Sequence, residues 1–286
     1  CTLLKSISLQ PTTMSALIEV RDIDHRKGRG LVTRVPLEKD AEILTVTPDI
    51  SVLYTPVAGS LCKVCSTSVE ASNTCPKCHQ FALCSKCSSS ELWDAHQQPC
   101  EWFCSLPSDV QQGDTDYLRF ILEYASRVQN GDTRLLLGVA NLCTNEDSQS
   151  SAVKNFCRSY SKLITSHFSP RGLLIDEEHL YKVLLQTKSN SIGFPFDASR
   201  TLGWSIQEEV CMVNHSCCPN AALRQLPNGT MQLRTIRDVA EGAELFISYV
   251  DLDAYEDVSV RTRHLLEQYR FLCACEHCVS QRTKQQ

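Results

Sequence analysis

The sequence predicts an α+β protein pinned in part by zinc. Three observations carry this: short β-rich segments lie near the N-terminus and again in the C-terminal third, helical periodicity fills the middle, and cysteines recur at metal-ligand spacings. At 286 residues the chain can bury a real core, in one large domain or two modest ones. A net charge of −5 argues against nucleic-acid binding as its main business. No run of about 18 apolar residues appears, so no membrane span is expected. The stretch Cys1–Val20 has neither an apolar h-region nor a small-residue cleavage site, so secretion is not expected. Without an initiator Met, the chain is expected to be a fragment or to have its true start near Met14. Seventeen cysteines in such a chain point to thiolate metal sites rather than disulfides.

In chain order, Leu31–Val35 and Glu42–Val46 read as short strands separated by a polar turn at Glu38-Lys39-Asp40. Just upstream, Lys27-Gly28-Arg29-Gly30 is either an ordinary turn or a loop whose glycines let backbone approach a ligand. From Cys62 to Cys100 the chain reads C-x2-C-x9-C-x2-C-x5-C-x2-C-x8-H-x3-C. Cys62, Cys65, Cys75, Cys78, Cys84, Cys87, His96 and Cys100 make eight ligands, enough for two tetrahedral zinc ions. Few large apolar residues lie between them, so the segment needs metal to fold. The expected wiring is a cross-brace, with Cys62 and Cys65 joined to Cys84 and Cys87, and Cys75 and Cys78 joined to His96 and Cys100. Cys104 or His79 could replace one of these. Ser88-Ser89-Ser90-Glu91 has the capping-box form and predicts a short helix carrying Trp93 and His96.

With its W-x-x-H-x3-C ending at Trp93, His96 and Cys100, this pattern resembles a MYND zinc finger. The family pattern has three residues between its third cysteine pair, whereas two separate Cys84 from Cys87, which leaves the ligand role of Cys87 open. The resemblance implies proline-rich peptide partners. Lys63, Lys77 and Lys86 face Glu70, Glu91, Asp94 and Glu101 across residues 62–104, a balance that disfavours DNA.

Beyond the finger, apolar residues of Tyr117–Val128, Ser151–His167 and Glu177–Thr187 recur at helical spacing and predict core-facing helices. In the second of these the stripe is Val153, Phe156, Cys157, Tyr160, Leu163 and Ile164. Thr144–Ser151 reads as a surface loop. Ala221–Leu226 and Thr230–Ile236 flank Pro-Asn-Gly, a hairpin signal. A strand is expected at Leu245–Val250 after a turn at Glu241-Gly242, and Val279–Gln286 reads as a frayed polar tail.

Three stretches of the C-terminal half carry chemistry: Asn214-His215-Ser216-Cys217-Cys218-Pro219-Asn220, Glu244-Leu245-Phe246-Ile247-Ser248-Tyr249, and Tyr269-Arg270-Phe271-Leu272-Cys273-Ala274-Cys275-Glu276-His277-Cys278. Cys273, Cys275 and Cys278 fall one ligand short of a tetrahedral site, and Cys217 is the candidate fourth.

Together the stretches resemble the SET-and-MYND branch of the protein lysine methyltransferases. The resemblance implies a SET-domain β-fold with a pseudoknot, interrupted by a zinc-bound MYND finger and a helical insert, and closed by a post-SET zinc. The corresponding boundaries are a SET N-terminal part at 18–61, the finger at 62–104, the insert at 105–188, the SET C-terminal core at 189–252, and the post-SET segment and tail at 253–286. Family members best known in animals continue into a C-terminal helical repeat domain, which is not expected here.

The resemblance also implies S-adenosylmethionine as cofactor and three structural zinc ions. It places Lys27, Arg29 and Gly30 at the cofactor's polar end, Asn190, Asn214 and His215 around the rest, and Phe271 against the adenine. Tyr249 would stand beside the transferring methyl, touching cofactor and reaction alike, with Tyr269 on the lysine channel. Transfer to a neutral amine needs no covalent enzyme intermediate, so positioning dominates. Deprotonating a free lysine at neutral pH costs about 4–5 kcal/mol, and an apolar channel beside a cationic sulfonium reduces that cost. The expected activity is lysine N-methylation of histones or other proteins, in nucleus and cytoplasm, by a monomer that binds neither nucleic acid nor membrane. The alternative is an interaction scaffold whose finger recruits partners while the SET part is inactive.

Overall fold

Two β-rich regions that lie far apart in sequence pair with one another around the helical block. The computed structural model describes residues 16–25, 27–194 and 201–285, so Cys1, Met14, Arg26 and Gln286 lie outside the described residues. Strand β1 (Ile18–Asp24) pairs antiparallel with β2 (Gly28–Thr33), and Gly28 supplies the left-handed turn at φ 66°. The sequence reading missed β1 because Glu19, Arg21, Asp22 and Asp24 interrupt its apolar alternation, and only Ile18 is fully buried. β3 (Glu42–Val46) and β4 (Ile50–Leu53) precede the finger, yet both find their partners after it. The finger and helices are thus threaded between the two halves of a common β framework.

The finger closes with α1 (Ser90–Cys104), a 15-residue helix, longer than the short one expected. Its cap is Ser89, whose Oγ accepts from Leu92 N–H, while Ser88 Oγ accepts from Trp93 Nε1 instead. The short α2 (Ser108–Gln111) leads to α3 (Asp116–Gln129), which buries Leu118, Phe120, Ile121, Leu122, Tyr124 and Ala125. Next come α4 (Thr133–Ala140), α5 (Ser151–Phe168) and α6 (Glu177–Asn190), capped by Asp132, Ser150 and Asp176 respectively. On α5 the buried face is Cys157, Ser161, Ile164 and Phe168, not the full expected stripe. Leu163 is 67% exposed, and Phe156 lies half out, stacked on Tyr160 beneath the Lys188 ammonium. The true stripe was hidden because a buried serine interrupts it.

β5 (Ile192–Phe194) and β6 (Gly203–Ile206) complete a sheet of order β4-β6-β5, followed by the single turn α7 (Glu208–Cys211). β7 (Asn214–His215) comes next, then the expected hairpin of β8 (Ala221–Gln225) and β9 (Met231–Thr235), which forms a sheet of order β3-β9-β8. The strand expected at Leu245–Val250 contracts to β10 (Phe246–Ile247), parallel to β7. Other bonds hold this stretch: Leu245 N–H to the Leu31 carbonyl, Phe246 N–H to Asn220 Oδ1, and Tyr249 N–H to His215 Nδ1. Segment 244–249 is therefore gripped between β2 on one side and the 214–220 loop on the other, where the pseudoknot is expected.

Asp257 caps α8 (Val258–Tyr269) by accepting from Ser259 and Val260 N–H. The expected frayed tail is instead α9 (Glu276–Gln285), because Cys278 anchors it inside and Arg282 donates to the Cys273 carbonyl at 2.7 Å. One large core runs from β2 through the finger's Cys62, Cys75, Cys78, Phe81 and Leu83 to the helical block. A smaller one gathers Cys217, Val250, Leu265, Cys273 and Cys278. Among the described residues, no helix is long and apolar enough to cross a membrane.

Candidate active site and metal centres

Twelve ligands converge into three tetrads. These are Cys62, Cys65, Cys84 and Cys87; Cys75, Cys78, His96 and Cys100; and Cys217, Cys273, Cys275 and Cys278, each with donor atoms within 4.8 Å of one another. A tetrahedral zinc with Zn–S about 2.3 Å requires sulfurs about 3.8 Å apart. Cys65 and Cys84 stand 3.7 Å apart, Cys75 and Cys100 3.6 Å, Cys217 and Cys278 3.5 Å, and Cys217 and Cys273 3.9 Å. Every described cysteine is free of disulfides. Donor type, number and spacing all fit a structural zinc ion at each site, with the cross-brace wiring of the finger as expected.

Local backbone explains the choice of ligands. Each finger knuckle closes by a bond back to its first cysteine: Ser66 N–H to the Cys62 carbonyl, His79 N–H to that of Cys75, and Ser88 N–H to that of Cys84. His79 holds φ 55° in this role and is exposed, so it is a turn residue and not a ligand. His96 and Cys100 sit one helical turn apart on α1, so both face one ion. Cys104, a turn further, is 4.0 Å from Cys100 but outside the tetrad. Cys87 joins its tetrad despite the shorter spacing.

A large cavity, about 1960 Å³, opens between the β1–β2 turn, the 214–220 loop, β10 and the start of the tail. Lys27, Arg29, Asn190, Asn214, His215, Tyr249, Tyr269 and Phe271 all line it, so residues far apart in sequence meet at one site. Gly30 does not line it. A Cβ there would fall 2.8 Å from Glu244 Oε1 and 2.9 Å from Asn214 Nδ2, so glycine permits the packing beneath the wall. Asn190, at the end of α6, donates to the carbonyls of Cys143 and Gln186, and Arg29 donates to the Asn141 carbonyl.

Glu244 is the functional residue that sequence reasoning left without a role, although it begins the Glu244–Tyr249 motif. Its carboxylate accepts from Asn214 Nδ2 at 2.8 Å and Lys27 Nζ at 2.7 Å, and its carbonyl accepts from Asn220 Nδ2. One half-buried side chain therefore ties the glycine turn to the Asn-His-Ser loop. His215 makes a second tie. Its Nδ1 accepts from Tyr249 N–H at 3.0 Å, so the ring proton sits on Nε2, 3.2 Å from Cys217 Sγ. Tyr249 and Tyr269 pack 4.9 Å apart, and Phe271 meets both rings. The Tyr249 hydroxyl donates to the Val213 carbonyl at 2.7 Å, and burial pushes its pKa above the usual tyrosine range. Burial shifts Tyr269 in the same direction.

The aromatic cluster, the interlocked 214–249 segment and the tetrad beside it form one unit, and comparison with known families decides what unit it is. The family model for the SET domain matches residues 28–250. The chain belongs to the SET domain family. Both finger tetrads and the helical block fall inside the SET match, whereas Cys273, Cys275 and Cys278 lie beyond its end. N-lysine methyltransferase SMYD2 of Homo sapiens is 24% identical over 257 residues, covering 89% of this chain and 58% of that protein. SMYD2-B of Danio rerio is 23% identical over 258 residues, with the same coverage. The chain thus spans little more than half the length of the curated relatives it matches. Among solved structures, the SET domain of LSMT bound to lysine and AdoHcy is 12% identical, with a TM-score of 0.49 over 93% of this chain and 55% of that one.

Proposed function

We propose that this chain is an S-adenosylmethionine-dependent protein-lysine N-methyltransferase. The observation that carries the reading is the convergence of Tyr249, Tyr269, Phe271 and His215 with Lys27, Arg29 and Asn214 on one cavity of a SET domain. The relatives named as N-lysine methyltransferases support the same chemistry.

When bound, S-adenosylmethionine supplies a methyl group on a cationic sulfonium. Lys27, Arg29, Asn190, Asn214 and His215 would hold its polar parts, and Phe271 offers an aromatic face to its adenine. Tyr249 and Tyr269 form a half-buried aromatic wall for an incoming lysine. Such surroundings disfavour the ammonium and reduce the cost of about 4–5 kcal/mol for losing its proton at neutral pH. Burial keeps the Tyr249 hydroxyl protonated, so it is a neutral dipole at the reacting centre and not a general base. The proton leaves to water, and orientation supplies most of the acceleration.

Within this reading, the substrates are lysines of histones or other proteins, reached in nucleus and cytoplasm by a monomer, and the MYND finger takes proline-rich peptides. Purified chain incubated with labelled cofactor and histones or a protein lysate tests the enzyme. Tyr249→Phe should retain cofactor binding and lose label transfer. Cofactor binding with no transfer to any protein by the wild type would instead support the scaffold alternative.

A further inference from the structure

Arg261, on α8, is the largest fully buried side chain of the described residues, at 1% exposure. Its guanidinium donates to the carbonyls of Tyr255 at 2.6 Å and Glu256 at 2.9 Å, and to Gln281 Oε1 at 2.5 Å. Among the described residues it makes no ion pair with any carboxylate, and its Nε has no acceptor. Carbonyls and an amide satisfy donors but cancel no charge, and an isolated buried charge is costly. The anion in contact with it is the third tetrad: Arg261 Nη2 lies 3.7 Å from Cys278 Sγ and the guanidinium also meets the Cys217 thiol, while the exposed Asp257 carboxylate acts on it without forming an ion pair. Four thiolates around one divalent zinc leave two net negative charges. The cation and that anion are buried against each other.

We propose that Arg261 is the built-in counter-cation of the third zinc site, and that its charge sets how firmly that zinc is held. The residue also clasps α8 to α9 through Gln281. Because α8 ends at Tyr269 and Phe271 follows two residues later, Arg261 becomes a positioning residue for the aromatic wall. Partners bonded to metal ligands change metal affinity by roughly 10–100-fold when removed.

The test counts zinc in the full chain by native mass spectrometry and follows its release to a chelator, independently of methyl transfer. Wild type should carry three ions, and Cys275→Ser, which removes a ligand outright, should carry two. Arg261→Gln should release one ion at least about tenfold faster than wild type while the other two leave at wild-type rates. Arg261→Lys, which keeps the charge, should restore most of the retention. Wild-type release from Arg261→Gln would overturn the proposal, and so would failure of the lysine variant to rescue. Loss of all three ions together with the helical circular-dichroism signal would also overturn it, because Arg261 would then serve the fold rather than the site. A wild type holding only two ions would overturn the third site itself.

Discussion

Replacing Glu244 by alanine removes the side chain that joins two walls of the cavity. That side chain is 10% exposed, and its carboxylate is bonded to both Asn214 and Lys27. A hydrogen bond to a buried charged group contributes about 1.5–3 kcal/mol. The Lys27 side chain is 42% exposed, so solvent screening discounts its ion pair to about 0–1 kcal/mol. The expected loss is about 2–3 kcal/mol, equivalent to about 30- to 150-fold in cofactor affinity if all of it appears there. Glu244→Gln keeps the shape and an acceptor for Asn214 while discarding the charge, so it should cost less than about fivefold. Gly30→Ala attacks the same contact from the other side, since its methyl would sit 2.8 Å from Glu244 Oε1. The two changes must therefore couple. In the double variant, alanine at 244 makes room for alanine at 30, and the combined loss should fall short of the sum by about 0.5 kcal/mol or more. Calorimetric titration with S-adenosylmethionine reads the affinities, and thermal unfolding reads the stability. The reasoning fails if Glu244→Ala binds like wild type, if the glutamine variant is equally damaged, or if the two alanine effects simply add.

Two further outcomes are expected. Cys78→Ser breaks a tetrad whose cysteines belong to the main core, so the whole chain should melt in one transition at a lower Tm. Two transitions, with the body at its wild-type Tm, would show the finger to be independent. Asp49 is raised in pKa by burial, and the Glu209 charge adds to this against the Glu208 N–H bond that lowers it. A raised carboxyl favours the folded state below its unfolded pKa and loses that contribution as pH climbs through the folded value. Asp49→Asn, which keeps an acceptor for Glu208 N–H, should therefore flatten the change in Tm between about pH 4 and pH 8 and melt at or above wild type at the upper end. A steeper pH dependence in the variant would contradict this.

What the sequence revealed, and what it hid, follows from the range of the interactions. The ligand sets were legible because zinc geometry imposes fixed short spacings, and the β8–β9 hairpin because Asn228-Gly229 encodes its own turn, with Gly229 at φ 87°. β1 and β4 were missed because a ladder partner, more than local alternation, makes them strands, and for β4 that partner is about 150 residues away. The fate of the tail was equally long-range: nothing in Val279–Gln285 announces a helix until Cys278 is fixed to Cys217. The role of Glu244 was invisible for the same reason, since its partners Lys27 and Asn214 come from other segments. The helical stripe of α5 failed differently. Ser161 is fully buried there, and a polar residue in an apolar stripe defeats a reading by hydropathy.

The structure also changes the division of labour among the zinc sites. Eight ligands in an inserted finger invite the view that the finger is an accessory that chemistry could spare. Yet Gly229, at the tip of the β8–β9 hairpin, abuts the Val64 carbonyl so closely that a Cβ there would fall 2.2 Å from it. Lys63, in the same knuckle, is paired with Glu123 of α3, and Ser126 of α3 donates to Gln98 of α1. Such contacts make the finger a wall of the core, and its zinc ions act on the fold. The third zinc site acts at shorter range. Cys217 accepts from the imidazole that in turn holds the Tyr249 backbone, so releasing the sulfur frees the ring and with it the tyrosine. An ion that touches no substrate would thereby set the position of the tyrosine to which the proposed function gives that contact. Catalysis should then track occupancy of that one site, and total zinc content only insofar as the other two keep the chain folded.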